Sequence, residues 1–516
     1  MARNFSRIYT ATGRLVARSP IHVGGLDGGN PDSDMPLAVD GQGKYYIPGT
    51  SLAGALRQWT EVELGASVAR SLWGFQESDM GDASLFTVED SIIGVAVLPE
   101  VRDGVGIDKK TGTAQRGIKY DTTILPRGTQ IEFQCSVSVI HDSDGTNAEG
   151  ALRLLVEALQ SGRIRIGAQR TRGMGKVVLE DCRLTVAQMN TRQGIFDHLQ
   201  GHDKAVTVDS LHAPRAAGGH RIEVAIYWHP TEPLMVKSGV DGIAVDGLPL
   251  VSSVDGDHVA LVMPGSSIKG VLSSRASLIV RTMTGHDSED GSRKADTVLD
   301  HLFGTSRAKV TPKDAKDAPE DAVEGMGMMA VDDCYAKVSI DRVTWEAFTT
   351  ALDDKDVRRV LESAHLENKL QEVYHVAIDR WTGGPSDQKL FNQMEPQGIE
   401  WEPIYLSLDL SRLSDPAAMK EVTEMQKRLD QEQKGMVALL LLVLRDMACG
   451  RMPLGFGTNR GMGSMAVDKI VLTPLGVSWM EEGANLDKGD IATLPVPLIE
   501  DLDRAWQTIT ADHGGA

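Results

Sequence analysis

The sequence predicts an α+β fold in which one split βαβ, ferredoxin-like unit is used twice in tandem. Three observations carry that expectation. Four short motifs recur in the same order, the strand and helix signals around them recur with them, and 516 residues are too many for one ordinary core. Pro20-Ile-His-Val with Gly25-Leu-Asp-Gly returns as Pro233-Leu-Met-Val with Gly239-Val-Asp-Gly. Ile47-Pro-Gly-Thr-Ser-Leu-Ala-Gly returns as Met263-Pro-Gly-Ser-Ser-Ile-Lys-Gly, and Leu72-Trp-Gly as Leu302-Phe-Gly. Last, Gly167-Ala-Gln-Arg-Thr-Arg-Gly-Met-Gly returns as Gly455-Phe-Gly-Thr-Asn-Arg-Gly-Met-Gly.

The elements follow in order. Residues 5–23 and 221–236 alternate apolar and β-branched side chains and predict the first strand of each unit. Thr50 or Ser51 is placed to cap a helix with Leu52, Ala55, Leu56, Trp59 and Val62 on one face; Ser266 or Ser267 is placed likewise before Ile268, Val271, Leu272 and Ile279. Strands are expected over 130–140 and 400–410, helices over 148–159 and 436–447, and final strands over 176–186 and 464–472, leaving directly from the glycine-rich loops. The paired motifs drift apart along the chain, so the second unit carries insertions, placed at 285–325 and 350–372. The expected division is a first unit over 1–187, a polar connector over 188–219, a second unit over 220–475, and a tail over 476–516 that wraps a neighbour.

Composition narrows the function classes. The longest apolar stretch, residues 436–444, is too short to span a bilayer, and the N-terminus lacks a secretory apolar core; a cytoplasmic protein without a membrane partner is expected. Cys135, Cys182, Cys334 and Cys449 are too scattered for a zinc knuckle or a disulfide framework. A net charge of -19 opposes indiscriminate adhesion to nucleic acid, so any grip on a phosphate chain must be local. Acidic runs at 313–324 and 481–490 carry much of the excess.

Two motif types supply such local grips. A Gly-Met-Gly turn flanked by arginine lets a polyanion approach the backbone, because glycine removes the Cβ and frees N–H groups. The first unit offers Arg170, Arg172, Gly173, Gly175 and Lys176, the second Asn459, Arg460, Gly461 and Gly463; an ordinary tight turn would use glycine too. The second type is the helix tip. Thr50, Ser51 and Arg57, and Ser266, Ser267, Lys269 and Arg275, lie where a helix N-terminus favours phosphate, although capping and solvated charge would explain them as well.

Pro264-Gly-Ser-Ser-Ile-Lys-Gly, Leu302-Phe-Gly and Gly457-Thr-Asn-Arg-Gly-Met-Gly together resemble the RAMP superfamily, specifically the backbone subunit of type III CRISPR effector complexes. The tandem arrangement is similar to the fusions of the type III-D and III-E variants. Val376-Ala-Ile-Asp-Arg-Trp-Thr-Gly-Gly, followed by Lys389-Leu-Phe, is similar to that subunit's β-hairpin thumb; Val105-Gly-Ile-Asp-Lys-Lys-Thr-Gly-Thr and Ile118-Lys-Tyr-Asp are the first unit's version. The resemblance implies RRM-like units with inserted thumbs, presenting Ile107 and Ile118 in one and Ile378, Arg380, Leu390 and Phe391 in the other. It implies a crRNA guide, a single-stranded target RNA, and other Cas backbone and large subunits as partners.

It further implies that each thumb kinks the guide–target duplex and that a nearby carboxylate promotes cleavage with Mg²⁺ or Mn²⁺, zinc not being expected. Asp34 and Asp246 fit that role, with Asp27, Asp32 and Asp40 as rivals in the first unit and Asp241 in the second. His22 is either a general base or structural. Alternatives are a noncatalytic guide-binding scaffold, a guide-processing nuclease, which would need a positioned histidine in both units, and a metabolic enzyme binding a phosphorylated substrate.

Overall fold

The computed structural model describes residues 5–25, 33–93, 97–108, 111, 113–140, 142–212, 220–284, 289–305, 325–413, 422–480 and 483–510. In the first unit β1 (Arg7–Ala17) leads to α1 (Gly49–Leu64) and β2 (Phe86–Val88). A hairpin follows, β3 (Glu100–Ile107) and β4 (Ala114–Ile124), then β5 (Gln130–Val139), α2 (Asp142–Gln160), the two-residue β6 (Arg172–Gly173), β7 (Val177–Gln188) and β8 (Lys204–Val206). The second unit repeats the plan as β9 (Arg221–Pro230), α3 (Gly265–Thr284), β10 (Met329–Asp332), the hairpin β11 (Leu370–Ile378) and β12 (Pro385–Pro396), β13 (Ile404–Asp409), α4 (Val422–Ala448) and β14 (Met465–Leu475). It ends with β15 (Ala484–Asp487) and α5 (Val496–Thr510).

The first sheet runs β8-β7-β1-β5-β2 and the second β6-β10-β13-β9-β14-β15. Their common part, β7-β1-β5-β2 against β14-β9-β13-β10, is antiparallel throughout and has the strand order of a split βαβ unit. Alternation explains the central strands: Ile131, Phe133, Cys135, Val137 and Val139 of β5 are buried in every second position. Leu52, Ala55, Leu56 and Trp59 form the buried stripe expected of α1. Buried apolar residues fall into two large clusters, one drawn from positions 9–211 and the other from 222–506, so each unit has its own core.

Three local expectations change. Neither Thr50 nor Ser51 caps α1: the helix opens at Gly49 after Pro48, without a side-chain cap, and Asp90 from beyond β2 accepts the Gly49 amide at 2.7 Å. Asp333 does the same for the Gly265 amide at 2.8 Å. The acceptor arrives from the neighbouring strand, which local spacing does not reveal. Part of the expected connector belongs to the first unit, because β8 pairs with β7 and Leu211 joins the core. Much of the expected tail belongs to the second: β15 extends the sheet beside β14, and α5 packs on α4 with Leu502 and Trp506 buried. Residues 213–219 and the acidic run at 313–324 lie outside the described residues.

The seam between units is polar. Arg102 of β3 pairs with Asp333, both buried; Arg165 and Lys176 pair with Asp332, and Arg127 with Glu402 at 3.0 Å. Glu100 accepts the Ser253 amide at 2.6 Å and the Ser252 hydroxyl at 2.7 Å. The base of the first hairpin is thereby anchored in the second unit. The loop between α2 and β7 is anchored there too, since β6 adds a parallel strand at the β10 edge.

Candidate nucleic-acid interface

The two hairpins match residue for residue. Asp103 faces Asp121 as Tyr374 faces Asn392, Val105 faces Lys119 as Val376 faces Leu390, and Ile107 faces Ala114 as Ile378 faces Pro385. Each has its register irregularity at the same place, between Val105 and Ile107 and between Val376 and Ile378. Asp108 and Asp379 open the tip turns by accepting the amides of Thr111 and Thr382. The outer halves carry exposed apolar side chains among polar ones: Ile107, Ile118, Ile378 and Leu390 are uncovered, and Trp381 is 96% exposed. Arg380 is exposed beside it and Phe391 is half-buried, stacked on His375 at 5.4 Å.

At each hairpin base the first loop of the unit is clamped. The Asp34 amide donates to Asp121 Oδ1 at 2.8 Å, and the Asp121 amide donates to Asp34 Oδ2 at 3.0 Å. In the second unit the Asp246 amide donates to Asn392 Oδ1 at 2.8 Å, and the Asn392 amide donates to Asp246 Oδ2 at 3.1 Å. The next residue pairs with the hairpin in both, Met35 with Thr122 and Gly247 with Gln393. Asp34 and Asp246 are therefore equivalent positions, both exposed, each with one oxygen held and the second unengaged among the described residues. The clamping partners Asp121 and Asn392 were not singled out from sequence; gapless alignment of the two hairpins is the signal that pairs them.

The rival carboxylates are differently employed. Asp40 accepts the amides of Gln42 and Lys44, and those bonds hold its carboxyl below the usual range. Asp241 pairs with Lys237 at 3.2 Å, while Asp27 and Asp32 lie outside the described residues. His22 is buried with Nδ1 2.8 Å from the Thr123 carbonyl, and Met235 takes its place in the second unit. Asn392 also donates to Glu372 at 2.7 Å; hydrogen bonds to Asp354 and Glu372 push the exposed Tyr374 phenol up to about 12.

Both glycine loops are fastened beside these clamps by the same bonds. The Ala168 and Gly175 amides donate to the carbonyls of His22 and Pro20; the Phe456 and Gly463 amides donate to those of Met235 and Pro233. Gln169 Nε2 reaches Thr122 Oγ1 at 3.3 Å, and Gln393 Nε2 reaches Met462 Sδ at 3.5 Å, joining loop to hairpin base in each unit. The loop tips differ. Gly173, at φ +101°, is buried against Asp333 and the Gly265 amide, whereas Gly461, at φ +84°, is exposed with nothing near its missing Cβ.

The cations divide accordingly. Arg172, Arg57, Arg460 and Asn459 are exposed, as are Thr50, Ser51 and Ser266; Ser267 is half-buried. Arg460 lies 5.9 Å from the Phe391 ring, next to the second hairpin. Lys176 is engaged with Asp332, and Arg275 with the buried Asp446. Lys269 is buried, donating to the Met329 carbonyl at 2.8 Å; burial, then the Arg172 and Arg412 charges, push its ammonium down to about 7. Lys269 and Arg275 are thus engaged within the second unit, Lys269 buried and Arg275 half-buried.

Among the described residues no helix is long and apolar enough to cross a membrane, and no group of three His, Cys, Asp or Glu side chains converges as a metal site. No curated protein matches the chain. The sequence pattern of the RAMP superfamily matches residues 14–178 and 233–466, one segment for each unit. With two split βαβ units, two clamped hairpins and two glycine loops, the chain belongs to the RAMP superfamily of CRISPR Cas RNA-binding effector subunits.

Proposed function

We propose that this chain is a crRNA-binding backbone subunit of a type III effector complex that holds a guide–target duplex and cleaves the target RNA once per unit. The observation that carries the reading is the duplicated clamp: an exposed aspartate, Asp34 or Asp246, fixed by reciprocal bonds to the base of an apolar hairpin and adjoining an arginine-bearing glycine loop. The hairpins supply wedges for a stacked duplex, through Ile107 and Ile118 in one and Ile378, Trp381 and Leu390 in the other. Arg172 and Arg460 supply phosphate contacts; base pairing, not this chain, reads sequence.

Cleavage asks for positioning above all. A target nucleotide splayed out by the hairpin brings its 2′-OH in line with the adjacent phosphate; the free oxygen of Asp34 or Asp246 accepts the hydroxyl proton, the 2′-oxygen bonds to phosphorus to close a 2′,3′-cyclic phosphate, and the P–O5′ bond breaks with water protonating the leaving 5′-oxygen. Mg²⁺ or Mn²⁺ fits a site of one or two carboxylates completed by substrate phosphate, and when bound would neutralise charge developing on that phosphate. In the alternative role for that free oxygen, Asp34 with Asp121 would hold the ion in the first unit; in the second, Asp246 has the neutral Asn392 beside it. This difference supports unequal sites, with the second the weaker metal binder. In the guide-loaded complex, Asp34→Ala removes one cut and Asp246→Ala another while guide and target stay bound. Unchanged cutting in both variants leaves only the scaffold reading.

The seam between units also suggests how the partners join. The glycine loop of the first unit occupies the β10 edge and the Asp333–Gly265 corner of the second. The first unit presents the same corner, Asp90 with Gly49, beside the edge strand β2, and the second presents an open Gly461 tip. A contact that does not close on itself propagates, so further backbone subunits are expected at both ends.

A further inference from the structure

A cavity of about 100 Å³ lies at the seam, on the α1 side of the first glycine loop. Five arginines line it: Arg163, Arg165 and Arg170 from the first unit, Arg221 and Arg412 from the second. Arg165 is paired with Asp332 and Arg412 with Asp409, which also lines the cavity. The other three have no carboxylate within 4.0 Å among the described residues. Arg163 Nε donates to Ser161 Oγ at 2.9 Å and Arg170 to Gln58 Oε1 at 2.8 Å; Arg221 makes no side-chain bond there. Trp59, only 8% exposed, lines the same cavity, and its Nε1–H is buried without an acceptor.

Such a cluster concentrates positive charge. Three half-buried guanidinium groups without a carboxylate partner line a half-closed space in a chain of net charge -19, Arg163 lying 5.8 Å from the Trp59 ring. Burial, then the Arg412 charge, already lowers the hold of Arg170 on its proton. The space greatly exceeds the roughly 15 Å³ a single water requires, and guanidinium forks match tetrahedral oxyanions. We infer that this cavity is a phosphate-binding site, in which one oxyanion bridges arginines of both units and fastens them together. Two sources share that chemistry: a free phosphate group or an internucleotide phosphate of a bound RNA strand. The inference does not depend on cleavage at Asp34 or Asp246.

The test uses the full chain freed of nucleic acid. Inorganic phosphate is titrated at constant ionic strength against chloride, by calorimetry and thermal unfolding, and a single-stranded RNA oligonucleotide is titrated in parallel. The comparison protein carries Arg163→Gln with Arg221→Gln, chosen because neither arginine leaves an orphaned carboxylate; its melting in chloride checks folding, and Arg170→Gln provides a second variant. Saturable stabilisation by phosphate, weakened about tenfold in the variants, supports the site with a free oxyanion. No response to phosphate, but RNA binding weakened about tenfold with a salt slope smaller by roughly one, supports it with a strand phosphate. Indifference of wild type and variants to both ligands overturns it, whatever the cleavage activity of the Asp34→Ala protein.

Discussion

Lys269 stands where the sequence suggests a phosphate contact, and the fold gives it a different task. The unfolded chain keeps this proton up to the ordinary lysine value of 10.5, whereas burial and two arginine charges bring the folded value to about 7. Between those values the unfolded state binds more protons, so stability rises as pH rises. Urea unfolding of wild type at pH 7 and pH 9 is expected to show a gain on the order of 2 to 3 kcal/mol from this residue. Lys269→Met removes that increment, and an identical pH dependence in the variant would exclude the lysine as its source. At this scale Asp34 was legible as a carboxylate ahead of a helix tip. Its partner Asp121, 87 positions away, was not, because sequence spacing says nothing about which strand returns to meet a loop.

At the scale of elements the duplicated glycine loops show how one motif acquires two uses. Both are built by the same bonds to the first strand, so the motif itself determines the turn. Their surroundings then separate them: the first tip is pressed against Asp333 and the second is open. Gly173→Ala combines left-handed strain with collision against a carboxylate and is expected to cost about 3 kcal/mol, against about 1 kcal/mol for Gly461→Ala, which carries strain alone. Chemical denaturation of both variants measures the difference; equal losses would contradict the docking of the first loop. The hairpins argue in the same direction. Their matching registers follow from sequence, but the anchoring of the first hairpin on the second unit through Glu100 and Arg102 does not, since those positions are Gln371 and Val373 in the second.

For the whole molecule the polar seam decides whether two cores act as one. Arg102 and Asp333 are both buried, and burial pushes the Asp333 carboxyl up while the guanidinium beside it opposes that shift. Arg102→Met leaves the carboxylate without its counterion and is expected to cost about 3 to 5 kcal/mol. The cooperative melt should then separate into two transitions seen by calorimetry, one for each core; a single undiminished transition would show that the seam contributes nothing. The sequence by itself determined the duplication, the α+β order and the glycine turns, because hydrophobic period and glycine chemistry act over a few residues; the hairpins were legible only through the family resemblance. Only the tertiary structure decided which charges are exposed, which are consumed in the seam, and which side chains meet across 87 to 275 positions of chain. Those choices depend on desolvation and on strand pairing between distant segments, quantities that no local pattern encodes.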